Sequence, residues 1–323
     1  MTFRDFSVRI SALPTWLWGL IFVLLASHAV ESPLVVSGQS LALVSDGVSN
    51  YTIVVESGAD PVERFAAEEL QKYVKQMTGV ELRIADLEAM DLSSRWETVP
   101  IITIGRNRVS QVFLDKAAFP KGRDSILIQS FDKALLLVGS NPRSTLFAVY
   151  ELLQRIGCSW IEPGPHGERV PSSKTLHLAP QNVRHTASLA RRNAFITDDL
   201  PTSLDIDWMA KQKFNHFEAY LTYRYDIWEK LKDGLLQEIE KRGMSIEVTD
   251  HSHPFWISPR EFGSDHPEYF ALVDGNRLVD RSHRPYGSDP PHLCVSNPDV
   301  MRIVTERMIA FLKRNPEVGT LVK

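Results

Sequence analysis

A chain of 323 residues with 43% apolar and 24% charged residues has the composition of an ordinary globular protein, and it is long enough for two domains. Its 36 basic and 40 acidic residues give a net charge of −4 and are spread along the chain, which excludes the basic surface of a nucleic-acid-binding protein. We therefore expect no nucleic-acid partner.

The first 29 residues predict a signal peptide. Two arginines precede an apolar stretch from Leu17 to Ala26, and small residues lead to a predicted cleavage after Ala29. The apolar stretch is short for a membrane span of ~20 residues. Trp16 and Trp18 keep an uncleaved membrane anchor open as the alternative, because indoles favour the membrane interface. Both interpretations predict export, to the periplasm or outside the cell.

The chain has two cysteines, Cys158 and Cys294, one in each half. We predict a buried free thiol for each, since two distant cysteines make no disulfide framework. No CxxC or Cys/His zinc spacing occurs, so the sequence assigns neither a metal nor a cofactor.

Residues 40–180 predict an α/β domain. One helix begins after Asp60 and stops at Gly79, and a second begins after Asn141 and ends at Gly157; each has proline as its first residue. Apolar residues recur along both at steps of three and four. Strands are predicted at LALVSDGVSNYTIVVES, VELRIA, PIITIG and SILIQSFDKALLLVGS.

The second half of the chain alternates strands with helices. Residues 171–186 mix Pro, Ser and basic residues and predict a boundary. From residue 190 onward, strands are predicted at RRNAFI, KFNHFEAYL and MSIEVT, with helices between and after them. Such alternation builds βαβ units and a parallel sheet.

Longer stretches resemble known families. AAEELQKYVKQMTGVELRI and STLFAVYELLQRIGCSWIEPGPHGERVP resemble the non-catalytic α/β domain that precedes the barrel in alpha-glucuronidases of glycoside hydrolase family 67 and in hexosaminidases. RGMSIEVTDHSHPFW, HPEYFALVDGNR and LCVSNPDVMRIV are similar to the domain-of-unknown-function 4838 family. The resemblance extends from about residue 42 to the end.

This resemblance implies a (β/α)8 barrel for residues 190–323. A complete barrel needs eight βα units and typically ~250 residues, whereas three units are clear here. The expected fold is thus an N-terminal α/β sandwich domain followed by the first βα units of an incomplete TIM-type barrel. Three units would leave sheet edges exposed. Two alternatives stay open: a second chain completes the barrel as a partner, or the shortened barrel folds as it stands.

The stretch TDHSHPFW follows the third predicted strand of this half. It therefore lies at the carboxyl end of a parallel strand, where βα loops carry function. Asp250, His251 and His253 offer hydrogen-bonding groups to sugar hydroxyls, while Trp256 and Tyr269 offer apolar ring faces. These five residues are the predicted carbohydrate-binding wall.

Two other interpretations of the stretch stay open. His251 and His253 lie two positions apart, which on an extended segment places both imidazoles on one face, as in a zinc site. The spacing does not fix a third ligand, for which the choices are Asp250, His266 and His283. Alternatively, the loop is structural, with histidines that cap helices and aromatic rings that pack beneath it.

Polar residues also lie on the predicted strands. Arg192 is a candidate ligand for a uronic acid, since a guanidinium pairs bidentately with a carboxylate; a salt bridge at the domain boundary is the alternative. Asn215 and His216 point to opposite faces of the next strand, and the sequence does not decide which one faces the barrel interior.

No residue of the chain is assigned a catalytic role. Glycoside hydrolysis needs two carboxylates roughly 5–9.5 Å apart. Glu247 and Asp250 lie three apart on a strand and so point to opposite faces. The resemblance to alpha-glucuronidases places the catalytic acids on later barrel strands.

The sequence therefore predicts an exported, glycoside-hydrolase-like protein that acts on polysaccharide, including polysaccharide that carries uronic acid. The alternatives are a non-catalytic carbohydrate-binding or interaction protein and a truncated gene product. In each case carbohydrate is the expected partner of the family.

Overall fold

The computed structural model describes residues 40–90, 98–117, 119, 122–194, 201–220, 227–249, 256–277, 279, 292–318 and 320–321. The predicted signal peptide lies outside the described residues, as do Asp250, His251 and His253. No helix among the described residues is long and apolar enough to cross a membrane.

The secondary structure alternates throughout the chain. The strands in chain order are β1 Leu41–Val44, β2 Thr52–Val55, β3 Arg83–Asp86, β4 Ile101–Ile104, β5 Ser125–Ser130, β6 Ala134–Gly139, β7 Ser159–Trp160, β8 Glu168–Arg169, β9 Leu176–Leu178, β10 Asn182–Thr186, β11 His216–Tyr220, β12 Ser245–Thr249, β13 Leu272–Val273, β14 Asn276–Arg277 and β15 Thr320–Leu321. The helices are α1 Pro61–Thr78, α2 Arg108–Ala117, α3 Pro142–Arg155, α4 Ser203–Lys211, α5 Ile227–Glu240, α6 Pro259–Phe262 and α7 Pro298–Arg314.

Two of these helices confirm the capping residues seen in the sequence. The Asp60 side chain accepts a hydrogen bond of 2.8 Å from the backbone N–H of Val62 at the start of α1. Asn141 and Ser144 form a reciprocal capping box at the start of α3. Both caps lie within four positions of the residues they bind, which is why the sequence alone located them.

The first sheet has six strands in the order β10-β5-β6-β4-β2-β3. Strands β2, β3, β4 and β6 are parallel, and β5 and β10 extend the sheet antiparallel. Successive residues of β6 point to opposite faces: Leu135 and Leu137 pack with α1 and α3, while Leu136 and Val138 join a smaller apolar cluster on the other face.

The segment predicted as a domain boundary contains two strands. Residues 171–186 contain β9 and β10, and β10 pairs with β5 over five positions as an edge strand of the first sheet. Polar residues are tolerated there because one edge of the strand and much of its surface face water. Composition gave no sign of these strands, and the position of the domain boundary stays a prediction.

The second sheet consists of β11, β12 and β15, all parallel. On its apolar face Phe217 and Ile246 join the main core, together with Trp228 and Ile239 of α5 and Phe311 of α7. Each of these three strands is preceded by a helix (α4, α5 and α7), which confirms the α/β class. The incomplete barrel itself stays a prediction.

The predicted strand at RRNAFI differs from the structure. None of its described residues, 191–194, belongs to a strand. The backbone N–H of Asn215 donates to the Arg192 carbonyl at 3.0 Å, but the N–H of Arg192 donates to the Asn215 side chain at 2.9 Å. A side-chain amide thus replaces a ladder bond beside β11. The described residues from 40 onward lie in one compact unit, and the predicted domain limits stay predictions.

Candidate functional site

One face of the second sheet is polar. His216 and Glu218 of β11 lie directly beside Ser245 and Glu247 of β12, because the parallel register pairs His216 with Ser245 and Glu218 with Glu247. The alternate residues of these strands, Phe217 and Ile246, are buried in the core. A parallel strand covered on both faces is apolar throughout, so this alternation marks a face built for polar contacts. We call it the polar face; Arg191 and Asn193 also contact it.

The centre of the polar face is a hydrogen-bonded chain of side chains. His216 Nδ1 lies 2.7 Å from Ser245 Oγ, and His216 Nε2 lies 2.7 Å from Glu247 Oε2. Arg191 Nη1 donates to the same Glu247 oxygen at 2.7 Å. The histidine is buried, the Glu247 side chain is 13% exposed and the Arg191 side chain is 61% exposed. The network therefore leads from the protein interior to a guanidinium at the surface.

A second contact extends the polar face along β11. The Asn193 side-chain amide donates to Glu218 Oε2. Asn193 is exposed and Glu218 is partly exposed, so an amide and a carboxylate lie near solvent beside the Arg191 guanidinium. Paired donors and acceptors of this kind match the hydroxyl groups and carboxylates of sugars.

Arg192 lies on the other side of the segment, away from the polar face. Its Nη2 donates to Asp124 Oδ2 at 2.6 Å, its Nε to the Lys213 carbonyl at 2.9 Å and its Nη1 to the Leu189 carbonyl at 2.8 Å. This is the salt-bridge alternative considered for Arg192 in the sequence. Its assignment to substrate binding stays a prediction.

Asp124 is the centre of this second cluster, the Asp124 cluster. Its buried carboxylate also accepts from Arg143, Asn141 and Asn215 at 2.8–3.3 Å. Burial by itself would raise the pKa of Asp124, but the hydrogen bonds and charge of Arg143, with those of Asn141 and Arg192, lower it to about 2. Asn215 thus points into the Asp124 cluster, and His216 into the polar face.

Two members of the predicted sugar-binding wall are described. Trp256 is 3% exposed and packs edge to face on Phe311. Tyr269 is 6% exposed and stacks on His266, with ring centroids 4.6 Å apart and planes at 8°. Both rings are therefore covered by protein. Their role in sugar binding stays a prediction, as do those of Asp250, His251 and His253, which lie outside the described residues.

Within the described part of the chain, no group of three or more His, Cys, Asp or Glu side chains is placed to hold a metal ion. His251 and His253 lie outside that part of the chain, so the zinc site stays an open alternative.

Sequence reasoning did not single out Ser245 or Glu247 as site residues. The signal was present: HFEAY and SIEVT both alternate polar and apolar residues at their first three positions, and two adjacent parallel strands in register place those polar residues side by side. The sequence does not show the register between the two strands, and this register is what brings the polar residues together.

Residues 162–321 match the family model described as Domain of unknown function (DUF4838). The match covers just under half of the chain, 160 of 323 residues. The second sheet and its entire polar face lie within the DUF4838 segment, as do helices α4, α5 and α7. No curated protein matches the sequence.

Solved structures with a similar fold are glycoside hydrolases. A chitobiase from Flavobacterium johnsoniae aligns with a TM-score of 0.51 and 14% identity, over 87% of this chain and 41% of the chitobiase. A GH20 beta-N-acetylhexosaminidase from Streptomyces coelicolor A3(2) aligns with a TM-score of 0.50 and 13% identity, over 88% of this chain and 56% of the enzyme. A GH115 4-O-methyl-alpha-glucuronidase with specificity for decorated arabinogalactans has a TM-score of 0.48 and 13% identity, over 87% and 42% of the two chains.

The alignments to the chitobiase and to the hexosaminidase show a glycoside-hydrolase-like fold for this chain. The chain spans about half the length of the enzymes that it matches, so it corresponds to a part of each. The predicted resemblance to DUF4838 and to glycoside hydrolases is confirmed.

Proposed function

We propose that the protein acts on polysaccharide and that the polar face is where it contacts the sugar. The observation that carries the proposal is the Arg191–Glu247–His216 network, a surface guanidinium fixed by a partly buried carboxylate and a buried imidazole. A glycoside-hydrolase-like fold supports carbohydrate as the ligand class.

Uronic acid is the proposed sugar type. A guanidinium carries five N–H donors in a planar fork, and a carboxylate accepts two of them in parallel. Glu247 accepts a hydrogen bond from Arg191 Nη1, and this contact orients the guanidinium at low entropic cost.

The polar face is proposed as a binding surface without catalytic acids. Glu247 Oε2 contacts both Arg191 and His216, and Glu218 Oε2 accepts from Asn193. Both carboxylates are therefore engaged by side-chain partners within the polar face. This supports non-catalytic carbohydrate binding as the second candidate function of the chain itself, with hydrolysis as the family-level activity.

The proposal includes export through the N-terminal segment, with an uncleaved membrane anchor as the alternative. It also includes completion of a barrel by further strands, from a second chain. Support for the second point comes from the three parallel strands and from the share of the aligned enzymes that the chain spans, 41% and 56%.

The test is retention of the full chain on a uronic-acid-bearing polysaccharide and on the same polysaccharide after its carboxyl groups are reduced. We expect stronger retention on the acidic form. Arg191→Ala should lower that retention about tenfold, the loss of one charge-assisted bidentate contact, and should remove the preference for the acidic form.

Arg302→Ala is the matched control. Arg302 is 56% exposed and ion-paired with Asp299 and Glu306 on α7, so it is an equally exposed, paired arginine outside the polar face. Retention that Arg191→Ala and Arg302→Ala lower equally would reflect nonspecific charge and contradict the polar-face assignment. Absence of retention on both polysaccharides would contradict carbohydrate binding altogether.

A further inference from the structure

A small cavity lies between the β7–β8 hairpin and helix α4, apart from the polar face. We call it the hairpin cavity. Its volume is ≈ 160 Å³, and its walls include Trp160, Glu162, Glu168, Leu204, Trp208 and Lys211. The hairpin loop closes tightly on one side, because a Cβ at Gly167 would lie 2.3 Å from the carbonyl oxygen of Glu162. The stretch IEPGPHGE that forms the loop has no role in the polar face.

Indole rings supply apolar surface to the hairpin cavity. Trp160 Nε1 donates to Glu168 Oε2 at 2.8 Å, and Trp208 Nε1 donates to the Trp160 carbonyl at 3.2 Å. Both indole N–H groups are therefore bonded within the protein. Half-buried Trp208 and half-exposed Leu204 offer carbon surface, which suits the C–H face of a sugar ring.

Carboxylates supply hydrogen-bond acceptors. Oε2 of Glu168 accepts three hydrogen bonds: from Tyr73 Oη at 2.6 Å, from Trp160 Nε1, and from Lys211 Nζ at 3.2 Å. Its other oxygen, Oε1, has no hydrogen-bond partner in the described part of the chain. The same holds there for both carboxylate oxygens of Glu162. A ligand with hydroxyl donors would satisfy them.

Lys211 helps to keep two half-buried acids, Asp207 and Glu168, ionised. Its side chain is only 4% exposed, and Nζ lies 2.5 Å from Asp207 and 3.2 Å from Glu168. Burial raises the pKa of Glu168, but the Tyr73 hydrogen bond and the Lys211 charge outweigh it and lower the pKa. An ionised carboxylate only accepts hydrogen bonds, so the ligand must donate them.

Size and charge narrow the ligand class. The cavity is smaller than the ~300–1,000 Å³ of pockets for drug-sized ligands, so it takes one ring. Its charged lining residues are two lysines and three acids, which gives a net charge of −1 and disfavours an anion; they are Lys72, Lys211, Glu162, Glu168 and Asp207. Ring size, carbon surface and unfilled acceptors all fit a neutral polyol.

We propose that the hairpin cavity binds one neutral pyranose unit of a polysaccharide, as a second sugar site separate from the polar face. The carbohydrate class rests on the proposed function; the neutral charge and single-ring size rest on the cavity. A chain with both sites would hold a polysaccharide at an acidic residue and at a neutral one.

Saturation-transfer difference NMR on the full chain tests this with three probes: methyl xyloside, methyl glucoside and methyl glucuronide. We expect signal from the two neutral glycosides at the cavity. Leu204→Trp, which fills the cavity mouth, should remove that signal, and Glu162→Ala should weaken it several-fold. Glu162 has no side-chain partner in the described residues, so its removal should not disturb the fold.

The chain offers matched controls for both variants. Ile161→Ala changes an exposed neighbour of Glu162 that does not line the cavity, and Leu189→Trp adds the same indole at another exposed leucine. Both should leave the signal unchanged. Signal that survives Leu204→Trp would overturn the proposal.

Arg191→Ala separates this inference from the proposed function. Neutral-glycoside signal that Arg191→Ala removes and Leu204→Trp leaves intact would place the sugar on the polar face and overturn the hairpin-cavity site alone. Absence of signal from both neutral probes would also overturn it, while polysaccharide retention would still decide the proposed function independently.

Discussion

The indole of Trp256 meets the ring of Phe311 edge to face, with centroids 6.0 Å apart and planes at 83°. Both side chains are almost fully buried, and Arg307 of α7 donates to the Trp256 carbonyl at 2.8 Å. Trp256 therefore fastens the segment after β12 to helix α7. This is a packing role, whatever else the residue does.

Trp256→Ala should lower the free energy of unfolding by about 3–5 kcal/mol, the usual cost of removing a large buried aromatic side chain. Trp256→Phe should cost less than half of that because it keeps a ring against Phe311. Denaturant unfolding checks both values. A loss under about 1 kcal/mol would contradict the packing role, and polysaccharide retention by the folded variant would test the sugar-binding prediction separately.

Asp124→Ala should destabilise the protein by about 3–5 kcal/mol, because it leaves the mostly buried guanidinium groups of Arg143 and Arg192 without their carboxylate. The control is Asp86→Ala, which breaks an ion pair with Arg64 in which both side chains are over 40% exposed. That pair should contribute about 0–1 kcal/mol. Equal losses from the two variants would contradict a special role for Asp124.

The Asp124 carboxylate should also account for part of the loss of protein stability at low pH. The folded-state pKa of Asp124 is lowered to about 2 from an ordinary value of 3.8, so its stabilisation is present above pH 4 and is lost as the pH falls towards 2. The stability difference between the wild type and Asp124→Asn should therefore shrink by about 2 kcal/mol between pH 5 and pH 2. A difference independent of pH would show that Asp124 does not titrate in this range.

The two thiols should differ in reactivity. Burial, with the Glu168 charge, raises the pKa of Cys158 to about 12, whereas hydrogen bonds from Ser296 and Arg277 lower the pKa of Cys294, which is partly exposed. An alkylating reagent at pH 8 should label Cys294 alone in the native protein and both thiols in denaturant. Cys294→Ser should abolish native labelling; rapid native labelling of that variant would contradict the burial of Cys158.

Gly139 and Gly234 should respond oppositely to alanine. A Cβ at Gly139 would lie 2.3 Å from the backbone of Ser144 and Thr145, so Gly139→Ala should destabilise the start of α3 by at least about 1 kcal/mol. Gly234 lies inside α5 with no atom within 4 Å of its added Cβ, so Gly234→Ala should stabilise by about 0.5–1 kcal/mol. Thermal unfolding of the pair checks both signs.

Local features of the fold could be predicted from the sequence. The caps of α1 and α3 depend on residues two or three positions away, and the strands at β11 and β12 follow from short apolar–polar alternation. Helix α2 was not predicted. Strand β10 was taken for part of a boundary because its partner β5 lies more than fifty residues earlier.

The candidate site could be predicted only in part, for the same reason. An extended segment fixes that Arg191 and Arg192 point to opposite sides, but not which of them reaches the polar face. Asp124 decides this from 68 positions away by binding Arg192. Likewise, Asp124 draws Asn215 to its own side and leaves His216 to meet Glu247.

The Asp124 cluster also determines how the molecule can be divided. Asp124 and Arg143 adjoin the first sheet, Arg192 and Asn215 adjoin the second, and Arg143 further donates to the Gly243 carbonyl at 2.7 Å. If the two sheets separated, each piece would keep buried charged groups without their ion-pair partners. The cost in free energy would be large, because no other contact would compensate for it. We therefore expect the two sheets to unfold together, and we expect neither to stay folded when it is excised or fused elsewhere.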